Sequence, residues 1–139
     1  MSDAEGLSDR DLLDGDPADY MNTTQLDFFR RKLLAMRDAL DRNAARTTAG
    51  LKNVESTSDP ADRASVEEEH ECELYARERD LELAAQVAHA LDRIENRSYG
   101  FCEDTGDPIG LPRLLAYPTA TLTVESQERQ DRVRRLRRR

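Results

Sequence analysis

Asp59-Pro60-Ala61-Asp62-Arg63-Ala64 is the stretch on which the fold turns, because two long helical patterns meet there head to tail. Ser56, Thr57 and Ser58 form a polar turn just before it. Asp59 is a good N-cap, and Pro60 suits the first helical position, where the amide hydrogen it lacks would be unpaired anyway. Two helices joined by so short a turn run antiparallel, so the segment 56–64 is predicted to be the tip of a helical hairpin. Such a hairpin is a solid rod with no pocket of its own. Its function therefore lies in what the tip touches, and the tip carries the carboxylates of Asp59 and Asp62.

Working outward toward the N-terminus, Leu26, Phe29, Leu33, Met36 and Leu40 recur in alternating steps of three and four, which lines five apolar side chains along one seam. Asn22-Thr23-Thr24-Gln25 has the spacing of a capping box, so the first helix is predicted to run from Thr24 to Glu55. Beyond Leu40 the seam thins to Asn43 or Ala44, Thr47, Gly50 or Leu51, and Val54. Toward the C-terminus, the second helix is predicted to reach about Asn96. Leu74, Leu81 and Ala88 recur every seven residues there, as do Arg77, Ala84 and Leu91, and Ile94 closes the pattern.

The composition agrees with a rod better than with a thick core: 37% of the residues are hydrophobic, 36% are charged, and there is no Trp. No apolar run approaches the roughly 18 residues of a membrane span. Residues 1–20 are acidic and are broken by Gly15, Asp16 and Pro17, which predicts a largely disordered arm without the basic and apolar regions of a signal peptide. The expected location is the cytoplasm. The net charge of −8 divides into +6 on Arg129–Arg139 and −14 on residues 1–128, so the body repels nucleic acid and the tail attracts it. Cys72 and Cys102 are expected to be reduced, His70 and Cys72 to point in different directions, and His89 to lie on the solvent face.

A family resemblance rests on many residues at co-linear spacing from Tyr20 to about Arg132. They are Tyr20-Met21-Asn22, Gln25-Leu26, Phe29-Arg30-Arg31, the tip segment, Glu67-Glu68-Glu69 and Tyr99-Gly100-Phe101-Cys102-Glu103. Gly106, Ile109-Gly110, Arg113-Leu114 and Pro118-Thr119-Ala120 follow at family spacing. The sequence resembles the DksA/TraR family of bacterial transcription regulators.

The resemblance implies a mostly α fold. A long antiparallel coiled-coil hairpin, 21–96, stands on a small globular domain, 97–127, with a C-terminal helix at 128–139. It also implies a job, which is to enter the secondary channel of RNA polymerase and alter open-complex stability and initiation in the stringent response without sequence-specific DNA binding. By position, Asp59 and Asp62 correspond to the family's tip acids and Ala64 to a small residue beside them, while Arg63 either fixes their orientation by pairing or stands solvated. The expected partner is RNA polymerase, with the chain a monomer that is not itself an enzyme. A transcript-cleavage or elongation factor like the Gre proteins and a structural coiled-coil adaptor remain alternatives.

Two departures from the family pattern are visible in the sequence. The family's C4 zinc site is here Cys102, Thr105, Thr123 and Ser126, leaving one thiol of four, and hydroxyls are poor zinc ligands at neutral pH. The expectation is a degenerate finger with no bound zinc, held by an apolar cluster of Phe101, Ile109, Leu111, Leu114, Leu115, Tyr117, Leu122 and Val124. The second departure concerns the alarmone ppGpp, which the resemblance places at the polymerase interface. Arg79 keeps a basic position, but Gln86, Tyr117 and Gln127 stand where relatives carry basic residues, so synergy is expected to be reduced unless Arg113 or the tail compensates.

Overall fold

A computed structural model of the chain describes residues 7–53 and 60–138, with side chains for 7–46 and 65–138. The described elements are α1 (Asp9–Leu13), a 3-10 turn (Pro17–Asp19), α2 (Thr23–Asn53), α3 (Pro60–Glu95), α4 (Leu111–Ala116) and α5 (Val124–Arg137). The mostly helical fold expected from the sequence is present. The chain separates into two compact units, one of residues 1–33 with 89–139 and the other of residues 34–88.

α2 starts where the capping pattern places it. The Asn22 side chain accepts from the Gln25 amide at 2.9 Å, while the Gln25 side chain reaches back one residue further than a capping box requires, to the Met21 amide at 2.9 Å. Phe29, Leu33 and Leu40 are buried and Leu26 and Met36 half-buried, so the predicted seam of α2 faces inward.

The seam of α3 corrects one of the two expected heptads. Ala84 and Leu91 are half-buried as predicted, but Leu74 and Leu81 are 41% and 59% exposed, and Ala88 is exposed as well. The inward heptad is Val66, Glu73, Asp80, Val87 and Ile94, with Val87 fully buried. Both candidate heptads sit three and four residues from Arg77, Ala84 and Leu91, so spacing alone does not separate them. What separates them is the base, where one heptad ends on Ile94 and the other on Glu95, whose carboxylate is 4.0 Å from the Arg30 guanidinium at the surface. The observed register buries Ile94 and leaves the Glu95 carboxylate in solvent, although higher up the same heptad turns Glu73 and Asp80 partly inward.

The first unit holds most of the buried side chains. Tyr99 is fully buried, its ring centroid 5.5 Å from that of Phe29 and its hydroxyl donating to the Pro118 carbonyl at 2.7 Å. Burial pushes the Tyr99 phenol well above its ordinary range, so it remains a donor at any physiological pH. Tyr20 joins the start of α2 to the loop 100–110, since its hydroxyl donates to the Gly100 carbonyl at 2.5 Å and accepts from the Gly110 amide at 3.0 Å. Gly100 has φ of +91°, and a Cβ there would lie 2.6 Å from the Met21 side chain, so both backbone and packing demand glycine.

The arm 1–20, expected to be disordered, is ordered where it is described. Ser8 and Asp11 form a reciprocal capping box on α1, Leu12 is 2% exposed, and α1 packs against α4. One apolar anchor with a good cap outweighs the acidic composition around it. Residues 1–6 lie outside the described part.

Candidate functional site

Asp59 and the turn at 56–58 lie outside the described residues. Asp62, Arg63 and Ala64 fall in the first turn of α3 by their backbone, and their side chains are likewise outside the described part. The helix starts at Pro60, the position its locked φ and missing amide hydrogen favour.

The four degenerate finger positions converge, but as a hydrogen-bonded cluster. Cys102 Sγ and Ser126 Oγ are hydrogen-bonded at 3.3 Å, and the Thr123 hydroxyl lies 3.9 Å from Cys102 Sγ while accepting from the Ser126 amide at 3.3 Å as the N-cap of α5. Thr105 Oγ1 accepts from the Asp107 amide at 3.3 Å. Cys102 and Ser126 are 3% and 0% exposed. Burial raises the Cys102 pKa, but hydrogen bonds from Ser126 and Thr105 and from the Thr123 and Thr105 backbone outweigh it and bring the thiol down to about 6.

This donor set does not fit a structural zinc ion. It offers one thiol and three hydroxyls, and Thr105 and Thr123 already accept from backbone amides. Among the described residues no three His, Cys, Asp or Glu side chains gather as a metal site. Backbone hydrogen bonds close the loop: the Cys102 amide donates to Asp107 O at 2.7 Å, the Gly106 amide to Cys102 O at 2.8 Å, and the Glu103 amide to Thr121 O at 2.8 Å. Ile109, Leu114 and Leu122 supply the apolar filling that was expected, with Phe101, Leu111 and Leu115 half-buried. Tyr117 and Val124 do not, being 63% and 47% exposed.

Sequence reasoning missed Arg93. It is 5% exposed, and its guanidinium donates to the Ser98 carbonyl at 2.8 Å and to the Phe101 carbonyl, while its Nε lies 3.6 Å from Glu103 Oε1. His89 is exposed, as expected, and its Nε2 lies 2.5 Å from the same carboxylate oxygen. The available signal was the spacing of His89 and Arg93, four apart and hence on one helical face, ahead of an acid in the finger. Of the alarmone candidates, Arg79 is exposed on α3 in the second unit. Arg113, in the first unit, spends its Nε on the Leu122 carbonyl at 3.0 Å and stacks its guanidinium over Tyr117 at 5.9 Å. Cys72 is exposed and Cys102 buried, and both are free thiols. No helix is long and apolar enough to cross a membrane among the described residues.

Two families match the chain in succession: the DnaK suppressor protein DksA N-terminal domain over residues 25–94 and the prokaryotic dksA/traR C4-type zinc finger over residues 97–132. The RNA polymerase-binding transcription factor DksA of Caulobacter vibrioides is 47% identical over 120 residues, covering 86% of this chain and 84% of that protein. Its Escherichia coli counterpart is 39% identical over 108 residues, covering 77% and 72%. Among solved structures, transcription factor DksA2 from Pseudomonas aeruginosa superposes with a TM-score of 0.83 at 41% identity, covering 92% of this chain and 99% of that one.

Proposed function

Because this chain belongs to the DksA/TraR family, we propose that it is a DksA-like regulator that binds RNA polymerase through the secondary channel and presents Asp59 and Asp62 near the active centre. What carries the reading is the placement of Asp62 in the first turn of α3, which follows the 31-residue α2, in a chain similar to polymerase-binding relatives along both helices and the finger. Opposite unit charges about 4 Å apart attract by roughly 4 kcal/mol at an effective dielectric constant of 20, enough for a tip carboxylate to perturb a basic group or metal ion of the polymerase. The chain works by altering open-complex stability, as a transcription factor and not an enzyme, and without reading DNA sequence.

The finger works without zinc in this reading, its thiol-hydroxyl cluster and apolar filling standing where relatives place four cysteines. ppGpp acts as co-effector at the polymerase interface through Arg79 and Arg113, with reduced synergy because Gln86, Tyr117 and Gln127 offer no charge to a phosphate.

The test is in vitro transcription from a ribosomal promoter with the wild type, Asp59→Asn and Asp62→Asn, each with and without ppGpp. The expected result is that polymerase affinity is nearly intact while the effect on open-complex lifetime disappears in Asp62→Asn. An unchanged lifetime favours a structural adaptor, and shortened RNA from backtracked polymerase favours a cleavage factor of the Gre type.

A further inference from the structure

Buried side chains occupy only part of the length of the two long helices. Among the described residues, α2 buries Phe29, Leu33 and Leu40, and α3 buries Val87, Ala90 and Ile94. Beyond Leu40 and ahead of Val87 the pattern changes, for none of residues 41–46 and 65–86 is buried. Six half-buried residues of α3, Val66, His70, Glu73, Arg77, Asp80 and Ala84, recur there in steps of four and three, which marks them as its inward face. Four of the six are ionisable, at positions where a helix pair closed by apolar burial carries leucine or valine. A cavity of about 70 Å³ opens between the helices at Leu40, Ala44, Asp80 and Ala84. Further along, His70 Nδ1 is buried without a hydrogen-bond partner among the described residues, which weakens the closed arrangement that buries it.

We infer that residues 41–46 of α2 and 65–86 of α3 form a clasp that opens and recloses by itself while α3 around Val87, Ala90 and Ile94 stays folded. Most helical stability in proteins comes from a packed face, and a helix of roughly 20 residues without one is only partly formed in water. Ion pairs on the exposed faces add little to that. The inward charges act against closure, because a carboxylate or imidazole that is half-dried when the helices meet is fully hydrated when they part. Opening is therefore cheap in the polar stretch and costly where Val87 and its neighbours are buried, so one continuous helix has two opening free energies. A partner that touches both helices at once binds the closed form alone and holds it shut by mass action. The inference concerns the chain by itself and is tested without a partner.

The experiment is native-state hydrogen exchange of the full chain, read amide by amide by NMR. Amides of residues 69–84 are expected to be protected at least about 100-fold less than those of residues 87–94. Asp80→Leu sets an apolar side chain into the cavity beside Leu40 and Ala44 and should raise protection across 69–84 by at least about 5-fold. Glu82→Leu puts the same side chain at an exposed position of the same turn, with similar helix propensity, and should change protection by less than about 2-fold. If circular dichroism shows that Asp80→Leu has lost helix, His70→Leu, which removes the unpartnered ring nitrogen, is read in its place against the same thresholds. One common level of protection from 69 to 94 means that α3 opens in one piece and overturns the inference. So does a gain from the inward leucine no larger than that from Glu82→Leu.

Discussion

Replacing Leu33 and Leu81 by Ala, one at a time, sets the same chemical change against two opposite environments. Leu33 is completely buried on α2, and the Leu→Ala change at such sites loses both transfer energy and packing around the new void, about 3 kcal/mol. Leu81 belongs to the heptad that the letters alone would place in the seam, yet 59% of it is exposed. Full burial of a leucine is worth roughly 1.5 to 3 kcal/mol, so the covered part of Leu81 contributes about 1 kcal/mol, and the better helix propensity of Ala offsets some of that. Urea unfolding followed by circular dichroism reads the difference directly, with the midpoint falling sharply for Leu33→Ala and little for Leu81→Ala while the slope of the transition stays the same. In thermal unfolding, the gap of about 2 kcal/mol corresponds to roughly 6–10 °C for a chain of this size. Equal losses at the two positions would sink the register described for α3, and a larger loss at Leu81 would restore the Leu74, Leu81 and Ala88 seam.

Other outcomes follow from single observations. Arg97 closes α3 with φ of +63°, its amide on the Ile94 carbonyl and the Ser98 amide on that of Arg93, a place where glycine is unstrained, so Arg97→Gly should stabilise the fold by up to about 1 kcal/mol, read as a higher urea midpoint. Tyr20→Phe leaves the Gly110 amide and the Gly100 carbonyl without their shared hydroxyl and should cost about 1–3 kcal/mol, with faster amide exchange at Gly110. The Cys102 thiol, lowered from 9 to about 6, contributes stability that is present above its unfolded value and is lost as the pH falls through 6. The melting temperature of the wild type should therefore rise between pH 6 and 9 relative to Cys102→Ala, and parallel curves would show that the thiol does not titrate there. Melting in the presence of EDTA should match melting without it, and stoichiometric zinc in the purified protein would contradict the zinc-free finger.

Much of this protein is legible in the order of its residues. Helix starts are local events, so Asn22 as a cap and Pro60 at the head of α3 are settled within a few residues of backbone, whereas α5 begins at Val124, four residues before the start read from the sequence, because Thr123 caps it. The seam of α2 is equally plain because only one face of it is apolar, and a family motif spread from Tyr20 to Arg132 names its relatives without any coordinates.

Tertiary structure decided what depends on a distant neighbour. The letters allow two registers for α3, and only the packing that favours Ile94 over Glu95 at the base selects one. Leu12 becomes an anchor because α4 gives it somewhere to go, and Arg93 with His89 becomes a clamp because the chain brings Glu103 back to them. Tyr117 and Val124 are as apolar as their neighbours yet stay in solvent, since a small unit has room for few buried side chains and geometry assigns the places. Sequence fixes what short-range sterics and hydrogen bonding dictate; burial is a property of pairs far apart along the chain, and it is defined only once the fold has brought them together.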